Sequence, residues 1–413
     1  MRNVELLLPA GNMEKLKYAV KYGADAVYLG AVDFSLRAMR KGELITLENL
    51  KDAIGMAHEL GAKAYLTLNI FAFNSDIKHL EQSMEIIKDT NPDGILISDF
   101  GVLRLVKKYM PDTDIHISTQ TNILNYECVK FWQDMGATRV VLARELSIPE
   151  IAQIKNNVPD MEIECFIHGS QCVSFSGRCL LSDYFTNGER KANSGNCSQP
   201  CRWSYKLVEE TRPNQYYEIN QDERGSHILS PKDLCLVKHL KQMIDAGVDS
   251  FKVEGRTKSL YYVSAVAKTY RNAIDEILSN PNADMEKYFI ELQKVGNRGY
   301  TTGFALGENK PDSYSYDISK GLAGADFLFE FHGKTEQDLY LVKVKNKVHL
   351  AQEVEIISPS EQFVAKIEEI IDEKGFNLEV ANTNSDVYMR FSSSPNEYEY
   401  ALARTIGVKE HVS

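Results

Sequence analysis

The sequence predicts an α/β protein, a TIM-type (β/α)8 barrel with a long cysteine-bearing insertion after strand 7, plus a small C-terminal β-barrel domain. Three observations predict it: short β-branched runs alternate with amphipathic helical patterns, the rhythm breaks for roughly sixty residues after the seventh run, and the last hundred or so residues switch to period-two alternation. The barrel domain is placed at 1–300, including the Cys-rich insertion at 169–228, and the terminal domain at 312–413.

The eight strands read as Val4–Pro9, Ala26–Gly30, Ala64–Asn69, Gly94–Ser98, Ile115–Gln120, Arg139–Ala143, Ile163–His168 and Phe251–Arg256. A spacing of roughly 20 to 30 residues leaves room for one crossover helix per strand, which makes the strands parallel. Leu47, Leu50, Ile54 and Ala57 form one apolar stripe, and Ile77, Leu80, Met84 and Ile87 another, while Ser147 and Glu150 form a capping box opening a third helix.

In a barrel, successive residues of a strand face the helices and the lumen by turns. Tyr28 therefore points inward, as do Tyr65, Thr67 and Asn69 on strand 3 and His116, Ser118 and Gln120 on strand 5. Strand 7 sends Glu164, Phe166 and His168 inside, and strand 8 sends Lys252, Glu254 and Arg256. Unpaired charge sealed in a barrel costs several kcal/mol, so the lumen must be paired or wet. Glu5 and Tyr28 suit a satisfied polar layer. Asn69, Gln120, His168, Glu254 and Arg256, nearest the C-terminal strand ends, should line a working mouth.

After His168 the next helix is expected only from about Lys232. A loop of that length growing from the C-terminal end of a barrel strand overhangs the mouth. It carries Cys172, Cys179, Cys197, Cys201 and, at its exit, Cys235, with glycines and prolines close by. No apolar run is long enough to cross a bilayer and Glu5 interrupts the first apolar stretch, which reads as a cytoplasmic chain without a secretory signal. Thiols stay reduced in that compartment, and an odd total of seven cysteines cannot all pair. The five clustered cysteines are therefore candidate metal ligands. Scattered single cysteines suit an iron-sulfur cluster better than zinc, which prefers paired Cys-x-x-Cys knuckles; zinc and redox thiols remain alternatives. Cys128, at helical spacing from Leu124 and Phe131, and Cys165, on the outer side of its strand, read as core.

Net charge is −11. Residues 301–413 carry 11 Lys or Arg against 19 Asp or Glu, whereas His168–Lys206 holds five cations against two acids. That basic stretch is either a solvated loop or a surface for an anion or RNA. In the terminal domain Tyr340, Val342 and Val344 alternate with Lys343, Lys345 and Lys347, and Val354 and Ile356 with Glu353 and Glu355, as a small barrel requires. The lysine row could meet an RNA backbone, although a solvated strand face is the simpler account. Neither a Gly-x-x-x-x-Gly-Lys nor a Gly-x-Gly-x-x-Gly phosphate loop occurs, His58-Glu59 lacks the second histidine of a zinc protease, and no Gly-x-Ser-x-Gly elbow is present.

Glu164-Cys-Phe-Ile-His-Gly-Ser-Gln-Cys172, followed by Ser176-Gly-Arg-Cys179-Leu-Leu-Ser182, resembles the signature of the collagenase-like peptidases of unknown catalytic type, the U-type peptidases. Leu8-Pro-Ala-Gly11, His116-Ile-Ser-Thr-Gln120, Lys252-Val-Glu-Gly-Arg256 and Arg298-Gly-Tyr-Thr-Thr-Gly303 agree, so the resemblance spans nearly the whole chain. The chain's length, its terminal β domain and the text Cys197-Ser-Gln-Pro-Cys201-Arg-Trp are most similar to the prephenate-dependent tRNA uridine hydroxylase branch. That resemblance implies a [4Fe-4S] cluster on Cys172, Cys179, Cys197 and Cys235, with Cys201 a fifth candidate that could exchange with Cys197. It implies prephenate as oxygen donor, tRNA as partner, and 5-hydroxyuridine at the wobble position as product. Prephenate's two carboxylates would need cations, for which Arg256, Lys252, Arg178 and Arg298 are available, with Gln120 and Asn69 also at the mouth. Glu164, His168 or Glu254 would move protons. The family also implies alternatives: collagenase-like proteolysis, hydroxylation of rRNA or a quinone precursor by the same chemistry, and a protein partner of the same family.

Overall fold

A computed structural model describes residues 4–31, 34, 44–172, 174, 179, 181–187, 189–190, 197–202, 221–222, 225–226, 231–307 and 324–408. Arg178 lies outside the described residues.

Apolar runs form the first strands and amphipathic segments the helices between them: β1 (Glu5–Pro9), α1 (Met13–Lys21), β2 (Ala26–Leu29), α2 (Leu50–Glu59), β3 (Lys63–Leu68), α3 (Asn74–Lys88), β4 (Gly94–Ile97), α4 (Phe100–Tyr109), β5 (Ile115–Ile117), α5 (Tyr126–Asp134), β6 (Arg139–Val141), α6 (Ile148–Asn157) and β7 (Glu162–Ser170). Side-chain caps start several of the helices. Asn12 accepts from Lys15 N at 2.8 Å, Asp99 from Gly101 N at 2.7 Å, and the Ser147–Glu150 box forms.

The insertion contributes α7 (Leu181–Phe185), a two-strand pairing of β8 (Gln221–Asp222) with β9 (Gly225–Ser226), and β10 (Asp233–Cys235). Then follow α8 (Leu240–Asp245), β11 (Ser250–Val253), α9 (Leu260–Ser279), α10 (Glu286–Gln293) and β12 (Tyr300–Thr301). Strands β1 to β7 pair in parallel in sequence order, and β11 pairs in parallel with both β7 and β1, which closes the barrel. The helix expected from Lys232 starts instead at Leu240. Asp233–Cys235 is an extra strand, antiparallel to the upper end of β7, and β12 adds beside it. A segment that returns along an already paired strand needs no apolar run of its own, so no strand pattern announces it.

Three apolar cores result. The largest lies between the barrel and its helices, and a small one of Leu7, Ala26, Tyr28, Tyr65 and Leu96 fills the lumen. The third fills a closed six-stranded antiparallel barrel of β13 (Phe327–Lys334), β14 (Tyr340–Val344), β16 (Glu353–Ile357), β17 (Gln362–Ile371), β19 (Asp386–Phe391) and β20 (Leu402–Arg404); β15 (Val348–His349) and β18 (Val380–Ala381) pair separately. Tyr340, Val342 and Val344 face this core. Cys165 is buried in the outer core as expected, but Cys128 is exposed: α5 buries Val129 and Trp132, turning Cys128 and Phe131 outward.

The terminal barrel is bolted to α1, α9 and α10. Arg404, with no exposed surface, pairs with Glu291 of α10 and with Glu355 Oε2 at 2.8 Å, and donates to Tyr261 Oη of α9 at 3.1 Å. Lys294 joins Glu355 at 3.0 Å, and Tyr22 of α1 donates to Tyr400 O at 2.6 Å. Burial pushes Glu355 up, but Arg404, Gln362 and Lys294 outweigh it and hold the carboxyl near 2. This is why Glu355, expected on a solvated face, is buried.

Candidate functional site

The lower lumen is a charge-neutral quartet. Arg139 Nη1 meets Glu5 Oε1 at 2.6 Å and Glu164 Oε2 at 3.2 Å, and Lys252 Nζ meets Glu164 Oε1 at 2.6 Å. Tyr65 Oη and Ser250 Oγ donate to Glu5 at 2.6 and 2.8 Å. Lys252 lies over the Tyr28 ring at 4.6 Å. Burial pulls Lys252 below the usual ammonium range in spite of Glu164, whereas Arg139 and its hydrogen bonds take Glu5 below the usual carboxylate range against the effect of burial. His116 packs edge-on to Tyr65 at 4.6 Å, where burial and the Arg139 and Lys252 charges keep it neutral. Gly94 makes room, since a Cβ there would stand 3.0 Å from the imidazole. Glu164 and Lys252, expected at a reactive site, neutralise each other below the mouth, where opposite charge makes burial tolerable.

Higher up, Asn69 Nδ2 donates to Ser118 Oγ at 3.2 Å and Ser98 Oγ to Gln120 Oε1 at 3.4 Å, with Gln120 on a 3-10 turn after β5. At the rim stand Glu254 and Arg256, both mostly buried, and Arg144. Arg144 stacks over Phe166 at 3.9 Å, donates to Ser170 O at 2.7 Å and approaches Glu254 Oε2 at 3.9 Å. Strand periodicity could not find it, because β6 stops at Val141 and the next residues follow no period of two. Arg298 is tied to Asp233 at 2.7 Å and to Ser170 Oγ at 2.8 Å.

His168 leaves the lumen. The β7–β11 register shifts so that Lys252 pairs with Phe166 and Val253 with His168, a bulge that reverses the facing of His168. Its ring sits among Tyr262, Tyr270 and Tyr300, with Nδ1 3.2 Å from Tyr270 Oη, and burial holds it down to about 3. Gly169, at φ +105°, permits the crossing: a Cβ would lie 2.3 Å from Glu254 O. The Tyr270 hydroxyl also reaches Cys235 Sγ at 3.7 Å, and burial pushes that thiol up to about 11.

No disulfide links any of the seven cysteines. Cys172 stands within electrostatic reach of Cys179, Cys197 and Arg144; packing around its sulfur raises the thiol although the residue has exposed surface. Cys197 is steadied by Arg190, which donates to its carbonyl at 3.0 Å, and by Ser198 N on Ser182 Oγ at 2.8 Å. Three sulfurs share one local geometry, each accepting the backbone N–H two residues on: Ser174 to Cys172, Gln199 to Cys197 at 3.3 Å, and Val237 to Cys235. Such bonds favour thiolate, the form that binds metal, and the all-sulfur donor set fits an iron-sulfur cluster. Among the described residues, no three His, Cys, Asp or Glu side chains are gathered closely enough to hold a metal ion.

The chain matches peptidase family U32 over residues 11–315 and the U32 C-terminal domain over residues 324–404. It belongs to that family. "tRNA hydroxylation protein P" of Escherichia coli is 36% identical, over 96% of each chain. "23S rRNA 5-hydroxycytidine C2501 synthase" of the same organism is 34% identical over 77% of this chain and 47% of its own length. The solved U32 peptidase Mk0906 covers 62% of this chain and 94% of its own at 12% identity, with a TM-score of 0.40. No described helix of this U32 protein is long and apolar enough to cross a membrane.

Proposed function

We propose that this protein hydroxylates tRNA, converting the wobble uridine to 5-hydroxyuridine with prephenate as oxygen donor. The similarity to a protein named for tRNA hydroxylation along 96% of both chains carries the reading. A [4Fe-4S] cluster would be held by Cys172, Cys179, Cys197 and Cys235, with Cys201 a candidate for exchange with Cys197, and the N–H···S pattern supports three of these, Cys172, Cys197 and Cys235. When bound, such a cluster supplies one-electron redox capacity at the edge of the mouth.

The chain's own residues divide the remaining work. Arg256 and Arg144 supply positive charge at the rim for a dicarboxylate, while Lys252 pairs with Glu164 and Arg298 with Asp233. Asn69 and Gln120 offer amide groups to the uracil edge or the donor. Glu254, facing Arg144, is the candidate for moving a proton, because Glu164 is locked in the quartet and His168 is held neutral among tyrosines.

Deleting the gene and measuring wobble-uridine nucleosides by mass spectrometry tests this. Loss of the hydroxylated nucleosides, restored by wild type but not by Cys172→Ala, is expected. Unchanged tRNA together with gelatin cleavage by the pure protein would transfer the assignment to proteolysis.

A further inference from the structure

Beside the mouth lies a second cavity of about 480 Å³ at the N-terminal ends of α4 and α5. Phe100 stacks on Trp132 at 5.0 Å and 12°, and Phe131 stands edge-on to both, at 80° and 76°. Phe100 is 56% exposed and Phe131 49% exposed, side by side and over a hollow. Large apolar rings clustered in solvent mark a binding surface more often than a packing accident. Phe131 is turned outward from α5, so core packing does not explain its presence.

The polar lining narrows the ligand. Asp99 Oδ1 accepts from Gly101 N and Val102 N, and Glu127 Oε1 pairs with Lys130 at 2.9 Å, so each carboxylate directs one oxygen into described contacts and keeps a second. Two carboxylates repel a phosphate or an anionic metabolite. They suit a flat, neutral ring whose edge carries N–H donors, which describes an amino- or imino-bearing nucleobase. The cavity also shares a wall with the mouth: Ser98 lines it while donating to Gln120, and Thr121 belongs to the same turn as Gln120.

We propose that this pocket takes one unpaired base of the RNA substrate, stacking it on Phe100 with Phe131 against its edge and reading its N–H groups with Asp99 and Glu127, while a neighbouring base occupies the barrel mouth. The inference rests on the RNA reading above and adds to it a second contact that selects sequence. Stacking platforms accept any π-face, so discrimination comes from the carboxylates.

The chain has two tryptophans, and Trp203→Phe leaves Trp132 as reporter. Full-length protein is titrated with a synthetic anticodon stem-loop RNA, by fluorescence in this background and by filter binding for wild type. The RNA quenches Trp132, Phe100→Ala weakens binding roughly 5- to 150-fold, the range for one stacked base, and Phe131→Ala weakens it less. An abasic replacement at one loop position gives the same loss in wild type and no further loss in Phe100→Ala. Both phenylalanines are exposed, and circular dichroism checks that the variants fold. Unaltered RNA affinity in both alanine variants overturns the pocket and leaves the RNA reading standing. Absence of RNA binding by wild type overturns both.

Discussion

Glu164 has no exposed surface and sits between Arg139 and Lys252, so its removal leaves Lys252 without its carboxylate partner and Arg139 with Glu5 and the half-exposed Glu162. Glu164→Ala should cost about 3–5 kcal/mol of unfolding free energy, measured by denaturant titration, whereas Glu164→Gln with Lys252→Met should recover most of it. His116, like His168, makes the fold acid-sensitive. Its folded pKa lies well below the unfolded 6.5, so only the unfolded chain takes up this proton as pH falls, and stability declines below 6.5. The loss from this residue grows as pH falls further below 6.5, and His116→Gln should flatten that part of the profile. The alternation of strands identified Glu164, Lys252 and His116 as facing the lumen and did not single out Arg139. It could not say that they satisfy one another, because pairing depends on the barrel's stagger between strands distant in sequence, such as β1 and β6.

At the scale of elements, the eight barrel strands and the start of α6 were legible because burial imposes period two on strands and the Ser147–Glu150 box marks a helix end. The bulge in β7 was not, since one extra residue changes no composition, and it moved His168 from the lumen to the tyrosines of α9. Gly169 is the visible trace of it. Gly169→Ala meets Glu254 O and an unfavourable φ together, and should lower stability by at least ~2 kcal/mol. Gly375→Ala, also at positive φ but with nothing within 4 Å, supplies the control and should cost less. Equal midpoints for the two variants would show that the β7–β11 crossing is not tightly packed. The antiparallel β10 escaped for a related reason: three residues returning along β7 draw on its backbone groups and need no pattern of their own.

For the whole molecule, Arg404 couples the terminal barrel to α9 and α10 through Glu355, Glu291 and Tyr261. Arg404→Ala leaves Glu355 and Glu291 with Lys294 as their shared cation at a buried seam, so calorimetry should resolve two transitions where wild type gives one. Family and barrel could be recognised from motifs, but the cysteine geometry could not, because N–H···S bonds depend on local turns. The central claim is that oxygen passes from prephenate to tRNA at a mouth beside the cysteine insertion. The most direct measurement incubates anaerobically purified protein with tRNA and prephenate carrying a heavy-oxygen isotope in its hydroxyl, followed by mass spectrometry of the wobble nucleoside. The label should appear in 5-hydroxyuridine with wild type and not with Cys179→Ala. Product carrying oxygen from water instead, or no product from a protein replete with iron and sulfide, would contradict the account.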